Sequence, residues 1–402
     1  MRTCKSGLIA LAIAAVCWTL SVAEAQDVVD IPLSHPAIRY EQATDDPVAV
    51  MLRQPATRAR IDSSEPSRLL ETLLDVLSIP RESQMFVFSK GSLQRARIDE
   101  RNPRALYFND AVAIGWVRGG FIEIASQDPT HGTVFYVAGA SPRPFVVRRD
   151  DRCLSCHFTG RTDDVPGMIE PIGHKRLLED RWGGWYVTGQ LGTVRHFGNV
   201  PVAAFLRDPE LRAVEPLSSL ERTFDTSGYL TPHSDVVALL VFEHQMQMMN
   251  LLTRLGWETR VARHEGRLDA TRSAIRDRVE RVVDYMLFVD EAPIRSRIEG
   301  STRFAALFSA RGPRDRQGRS LYELDLETRL MRYPCSYMIY SKQFDQLPNE
   351  AKTAVYQRLR EILSGAEQDV KYRHLSRNAR DTIVEILRQT KPDLGGWGKW
   401  GG

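Results

Sequence analysis

Two thiols and an imidazole stand together in Cys153-Leu-Ser-Cys156-His157. Thiols at this spacing can reach both vinyl groups on one edge of a haem. The adjacent imidazole then lies under the iron as its proximal ligand. The pattern predicts one haem c, covalently attached at Cys153 and Cys156 and ligated by His157. Three other chemistries compete for the same residues. A thioredoxin-like redox pair needs a helix N-terminus within a βαβ pattern, and this region has none. Structural zinc needs further ligands at finger spacing, and the nearest histidines, His174 and His196, are placed too irregularly. A disulfide between such close cysteines would be small and strained.

The ligand on the other side of the iron must come from elsewhere. Met168, His174, His196, His233, His244 and Met248 are the candidates. His196, in Arg195-His196-Phe-Gly-Asn199, lies on an irregular segment near the motif and ranks first. Met248 and His244 follow. They share a helical face with His233, Val237, Leu240 and Leu251, although core packing is the commoner role of such residues. An open sixth position is the remaining alternative. Arg148, Arg149, Arg152 and Arg161 flank the motif and could pair with haem propionates. Asp150, Asp151, Asp163 and Asp164 could equally balance them as a solvated stretch.

Export supports the haem reading, because haem c is attached outside the cytoplasm. Arg2 and Lys5 precede an apolar run from Leu8 to Ala23, closed by Ala23-Glu24-Ala25. This reads as a signal peptide over residues 1–25, with a mature chain beginning at Gln26 in the periplasm or otherwise outside the cytoplasm. Cys4 and Cys17 leave with it. Cys335, in Tyr333-Pro-Cys-Ser-Tyr337, is then the one mature cysteine outside the motif, predicted as a buried free thiol. No later apolar stretch is long enough to span a bilayer. A formal charge of +3 gives no reason to expect nucleic acid as a partner. Arginine dominates the basic residues. Its planar fork suits carboxylates, but codon bias explains the excess as well.

The elements that must position the motif divide the chain. Residues 26–84 read as a surface wrap ending in a helix over Pro66–Ile79. Residues 85–200 hold short β-favouring runs: Met85–Phe88, Ala105–Phe108, Val112–Val117, Phe121–Ala125, Thr133–Val137 and Phe145–Val147. Gly, Asp-Pro and Asn-Asp turns punctuate them, as in an antiparallel meander. The motif follows the last run. Residues 201–394 read as helical. One helix starts at Thr231-Pro232 and stops at Gly256. Others cover Leu268–Val289, Glu350–Leu363 and Arg377–Gln389, the last capped by Ser376. Residues 395–402 form a Gly/Trp tail. The expected class is α+β, with a β-rich antiparallel module leading into the haem site and a mainly α-helical C-terminal half.

Beyond the motif, three segments resemble a family of large bacterial single-haem cytochrome-c-domain proteins. They are Arg181-Trp-Gly-Gly-Trp-Tyr-Val-Thr-Gly189, Ser234-Asp-Val-Val-Ala-Leu-Leu-Val-Phe-Glu-His244 and Pro334-Cys-Ser-Tyr-Met-Ile-Tyr-Ser341. The resemblance covers most of the mature chain. It implies haem binding and electron transfer, and it supplies no substrate. Unlike small soluble cytochromes c, this chain is several times longer, and its motif follows a β-rich module. The leading expectation is a periplasmic electron carrier working with a redox partner protein or a small electron donor or acceptor. The alternative is a haem enzyme on peroxide, oxygen or a small reductant, with Trp182, Trp185 and Tyr186 around an open distal site. A haem-based sensor or assembly partner is a third reading.

Overall fold

The computed structural model describes residues 30–43, 45–139, 146–169, 173–213 and 217–394. The expected signal peptide and the Gly/Trp tail lie outside these residues. Two short helices, α1 (Pro47–Leu52) and α2 (Pro55–Asp62), each begin with proline at the first helical position, where its missing N–H costs nothing. Asp46 caps α1 by accepting from the amides of Val48 and Ala49. The expected helix over Pro66–Ile79 is a 3-10 turn followed by α3 (Leu69–Val76). Residues from Ile31 to Leu77 do more than wrap the surface. Ile31, Ile38, Tyr40, Val48, Leu73 and Leu74 are buried in one cluster with one face of the sheet.

The first five expected runs form strands: β1 (Met85–Val87), β2 (Arg104–Phe108), β3 (Val112–Trp116), β4 (Ile122–Asp128) and β5 (Gly132–Ala138). The sixth strand, β6, is Arg148–Arg149 and not the expected Phe145–Val147, of which Val146 and Val147 lie outside any strand and Phe145 lies outside the described residues. Every neighbouring pair is antiparallel. The one-turn helix α4 (Leu154–His157) follows. A seventh strand, β7 (Trp185–Tyr186), pairs with β1, so the order is β6-β5-β4-β3-β2-β1-β7. Sequence periodicity had no means of showing this strand, because two residues carry no alternation.

Both sheet faces are covered. Alternation turns Phe86, Tyr107, Ile114, Ile124, Val134 and Tyr136 toward the N-terminal cluster. It turns Met85, Leu106, Phe108 and Ala113 toward the helices. The helical half comprises α5 (Val202–Arg207), α6 (Val236–His264), α7 (Arg272–Met286), α8 (Phe304–Ala310), α9 (Lys342–Asp345), α10 (Asn349–Leu363) and α11 (Arg377–Thr390). Ser376 caps α11 as expected, accepting from the Ala379 amide. The long central helix differs from its expected bounds. Asp235 caps it, in place of Thr231, and it runs straight through Gly256. A mid-helix glycine costs only about 1 kcal/mol. Burial of Leu255, Trp257, Val261 and Ala262 outweighs that. From Ile31 onward the chain is one compact unit. Among the described residues no helix is long and apolar enough to cross a membrane.

Candidate haem-binding site

The motif is presented by a tight turn off the sheet edge. After β6, Asp150 accepts from the Arg152 amide and starts a 3-10 turn, Asp151–Cys153, that leads into α4. On a helical turn, residues three and four apart share a face. Cys153, Cys156 and His157 are therefore presented together. Both thiols are free, Cys156 exposed and Cys153 partly so. Burial, reinforced by Asp150, pushes the Cys153 thiol up to about 12. A dithiol redox centre needs the opposite, a depressed nucleophilic thiol, which the burial of Cys153 disfavours.

His157 is held from behind. Its Nδ1 lies 2.8 Å from the Gly167 carbonyl, and its own carbonyl accepts from the Gly167 amide at 2.9 Å. Its ring packs on Phe135 of β5, with centroids 4.8 Å apart. Burial lowers its pKa, which favours the neutral imidazole that a metal requires. With Nδ1–H donating to a carbonyl, Nε2 is the lone-pair nitrogen, and it has no hydrogen-bond partner among the described residues. This is the arrangement that fixes tautomer and ring orientation in metal-ligating histidines. Among the described residues no cluster of three or more His, Cys, Asp or Glu could hold a bare metal ion. The donor set, two free thiols beside one anchored imidazole, fits a porphyrin-borne iron.

Gly167 carries this anchor and has no room for a side chain. A Cβ there would stand 2.2 Å from Asn250 Oδ1 of α6, while Asn250 Nδ2 donates to the Met168 carbonyl at 2.8 Å. We expect Gly167→Val to cost about 1–3 kcal/mol and to loosen His157, read as a lower unfolding midpoint together with an altered haem spectrum. An unchanged spectrum in the folded variant would refute the anchoring role of Gly167.

The candidates for the second iron ligand are not gathered here. His196 lies with β7: its ring meets Trp182 at 5.4 Å, and its backbone bridges to Ala213. Four strands separate β5 from β7, a span of roughly 24 Å at ~4.8 Å per pairing. Two imidazoles sharing one iron sit only about 4 Å apart, twice a ~2.0 Å metal–nitrogen bond. His196 as arranged here is therefore not the distal ligand. His244 is committed elsewhere: Nδ1 meets His174 Nδ1 at 3.0 Å and Nε2 meets Ser336 Oγ at 2.7 Å. Met248 is fully buried in the helical core. At ~100° per residue it stands roughly 160° around α6 from Asn250, on the side turned away from the motif. His233 Nδ1 bonds the Ser218 carbonyl. Met168 follows the residue holding Nδ1, the ring edge opposite Nε2. Trp182, Trp185 and Tyr186 also belong to the β7 edge and build no pocket over His157.

The flanking arginines divide. Arg149 bonds Asp151 and the Tyr40 and Glu41 carbonyls, and Arg152 bonds Asp150 through two nitrogens. Arg148 and Arg161 are exposed, with no ion pair among the described residues. Comparison with protein-family models, with curated proteins and with solved structures finds no match.

The three segments behind the family resemblance do converge, but on a buried polar core away from the motif. Arg181 Nη1 pairs with Glu243 Oε2 at 3.1 Å, His244 bonds Ser336, and Tyr337 donates to Gln245 at 2.9 Å. Cys335 is a buried free thiol, as expected. Sequence reasoning missed Phe135, Gly167 and Asn250. Only Pro166-Gly167, a turn dipeptide shortly after the motif, carried any local signal.

Proposed function

We propose that this chain is an exported single-haem c-type cytochrome that binds haem at Cys153, Cys156 and His157 and transfers electrons in the periplasm. The observation carrying the reading is the His157 ring, anchored through Nδ1 with Nε2 free, on the same helical turn as two free thiols. The haem supplies the one-electron chemistry when bound. The chain's own residues tether it, present an imidazole of fixed tautomer, and shield one side with Phe135. Its partner on this reading is a redox protein or a small electron donor or acceptor.

A second reading is a haem enzyme with an open distal position. It gains support from the placement of His196, His244 and Met248, none of which reaches His157 Nε2. The visible spectrum of the reduced holoprotein, with and without carbon monoxide, decides between them. A carrier with two strong ligands stays low-spin and ignores the gas. An open site is high-spin and binds it. In either case His196→Ala, His244→Ala and Met248→Ala should leave the spectrum unchanged. A spectral change in any folded one of them would return that residue to the iron.

A further inference from the structure

Arg104 leaves β2 on the sheet face that Glu123 of β4 also occupies, with β3 between them. The residue of β3 on that path is Gly115. The Arg104 stem lies across it: a Cβ at Gly115 would stand 3.4 Å from Arg104 Cδ and 3.8 Å from Nε. A glycine in mid-strand weakens a sheet and often marks a close approach. Here it opens a passage that lets Arg104 cross a strand and reach Glu123, Nη1 to Oε2 at 3.1 Å. Ser92 donates to the same carboxylate at about 3 Å.

That leaves Glu123 well supplied and Arg104 under-used. A guanidinium has five N–H donors. Among the described residues the Arg104 side chain makes one hydrogen bond, and its Nε is buried without a partner. Orphaned buried donors are uncommon and call for an acceptor. The wall that carries this donor also carries the haem motif. Phe135, which packs on His157, pairs with Ala125, and Glu123 is the next residue of β4 on the same face. Both Glu123 and Arg104 are close enough to bias the charge of His157, and Glu123 also acts on Cys153.

We propose that Arg104, carried across Gly115 and braced by Glu123, is the positioning residue that takes a haem carboxylate on the sheet-side wall of the site. A guanidinium pairs with a propionate through parallel N–H···O bonds and cannot lose its proton, so it holds that carboxylate ionised. This role rests on the haem reading and falls with it. The sequence had offered Arg148, Arg149, Arg152 and Arg161 for the task. Two of those are committed to aspartates, and two stand in solvent, where an ion pair contributes little.

The test uses the holoprotein, stained for haem on a denaturing gel and then titrated against redox mediators from pH 5 to pH 8. The variants are Arg104→Gln, Arg104→Gln with Glu123→Gln, and Gly115→Val. All should keep covalent haem. The double variant is the decisive one, because it leaves the net charge of the pair unchanged. Loss of the propionate's counter-charge favours ferric iron. At a fixed mediator potential, the oxidised-to-reduced ratio should rise about tenfold, equivalent to ~59 mV for one electron. The midpoint should also become pH-dependent, as the released carboxylate titrates within the window. Should Gly115→Val fail to fold, the Arg104 variants carry the test alone. A double variant with stained haem and the wild-type midpoint and pH profile overturns the role of Arg104. Wild-type protein without stain overturns the haem reading itself, and this proposal with it.

Discussion

Replacing Cys153 and Cys156 together by alanine will abolish haem staining of the denatured protein, while the wild type keeps its haem on the gel. The effect is all-or-none because a thioether survives denaturation and coordination does not. A single replacement leaves one tether and should retain stain at reduced yield. His157→Ala keeps both thiols, so attachment and ligation separate: stain without the native spectrum. The free thiols and the turn that presents them are in place. Export is a separate requirement, so the measurement belongs on protein recovered from the periplasm of an expression host with haem-attachment machinery. Haem that washes out of the denatured wild type would refute covalent binding.

The largest effect on stability belongs to the buried pair Arg181–Glu243. Both side chains are almost wholly shielded, at 4% and 2% exposure. Arg181 also donates through Nε and Nη2 to the Arg176 carbonyl. Removing one partner of a buried ion pair strands the other, at a cost of about 3–5 kcal/mol. Arg181→Met should therefore destabilise the fold by that order at pH 8, read as a shift in the urea midpoint. The loss should shrink on acidification. Burial already raises Glu243 to about 7, and Arg181 is the main group that opposes that rise. Without Arg181 the folded-state value climbs further above the unfolded one. A carboxyl raised in this way contributes stability that is fully present below its unfolded pKa and is lost as pH rises through its folded pKa. The variant should thus come closest to wild type near pH 5 and fall furthest behind at pH 8. Arg181→Met with Glu243→Gln should remove most of the pH dependence. A destabilisation of Arg181→Met that is equal at both pH values would rule out a stranded carboxylate as its cause.

Much of the architecture was legible because it rests on local signals. The β-favouring runs between Met85 and Val137 alternate with turn residues, and each became a strand paired with its chain neighbour. The helices ending at Leu363 and at Thr390 carry apolar periodicity in their own residues, and the second also carries its cap, Ser376. Signals that depend on tertiary context misled. Gly256 reads as a helix stop, yet packing around Trp257 carries α6 past it. Thr231-Pro232 reads as a helix start, but Asp235 accepts the first amides. The stretch before Leu77 reads as a wrap, and its apolar residues pack on one face of the sheet, together with Phe224 and Tyr229.

The candidate site divides along the same line. The sequence by itself determined that Cys153, Cys156 and His157 stand together, because they need only one helical turn to share a face. It also determined the α+β order of the chain, because hairpins and capped helices are specified within a few residues. Only the tertiary structure decided what surrounds the imidazole. Gly167 reaches His157 by a loop closure and Phe135 by strand register, while Arg104 reaches Glu123 over a glycine in the strand between them. The same structure sends His196 to the far sheet edge and turns Met248 into the core. Nearness in sequence could not show either outcome, because a seven-stranded sheet places residues that are close along the chain at opposite edges.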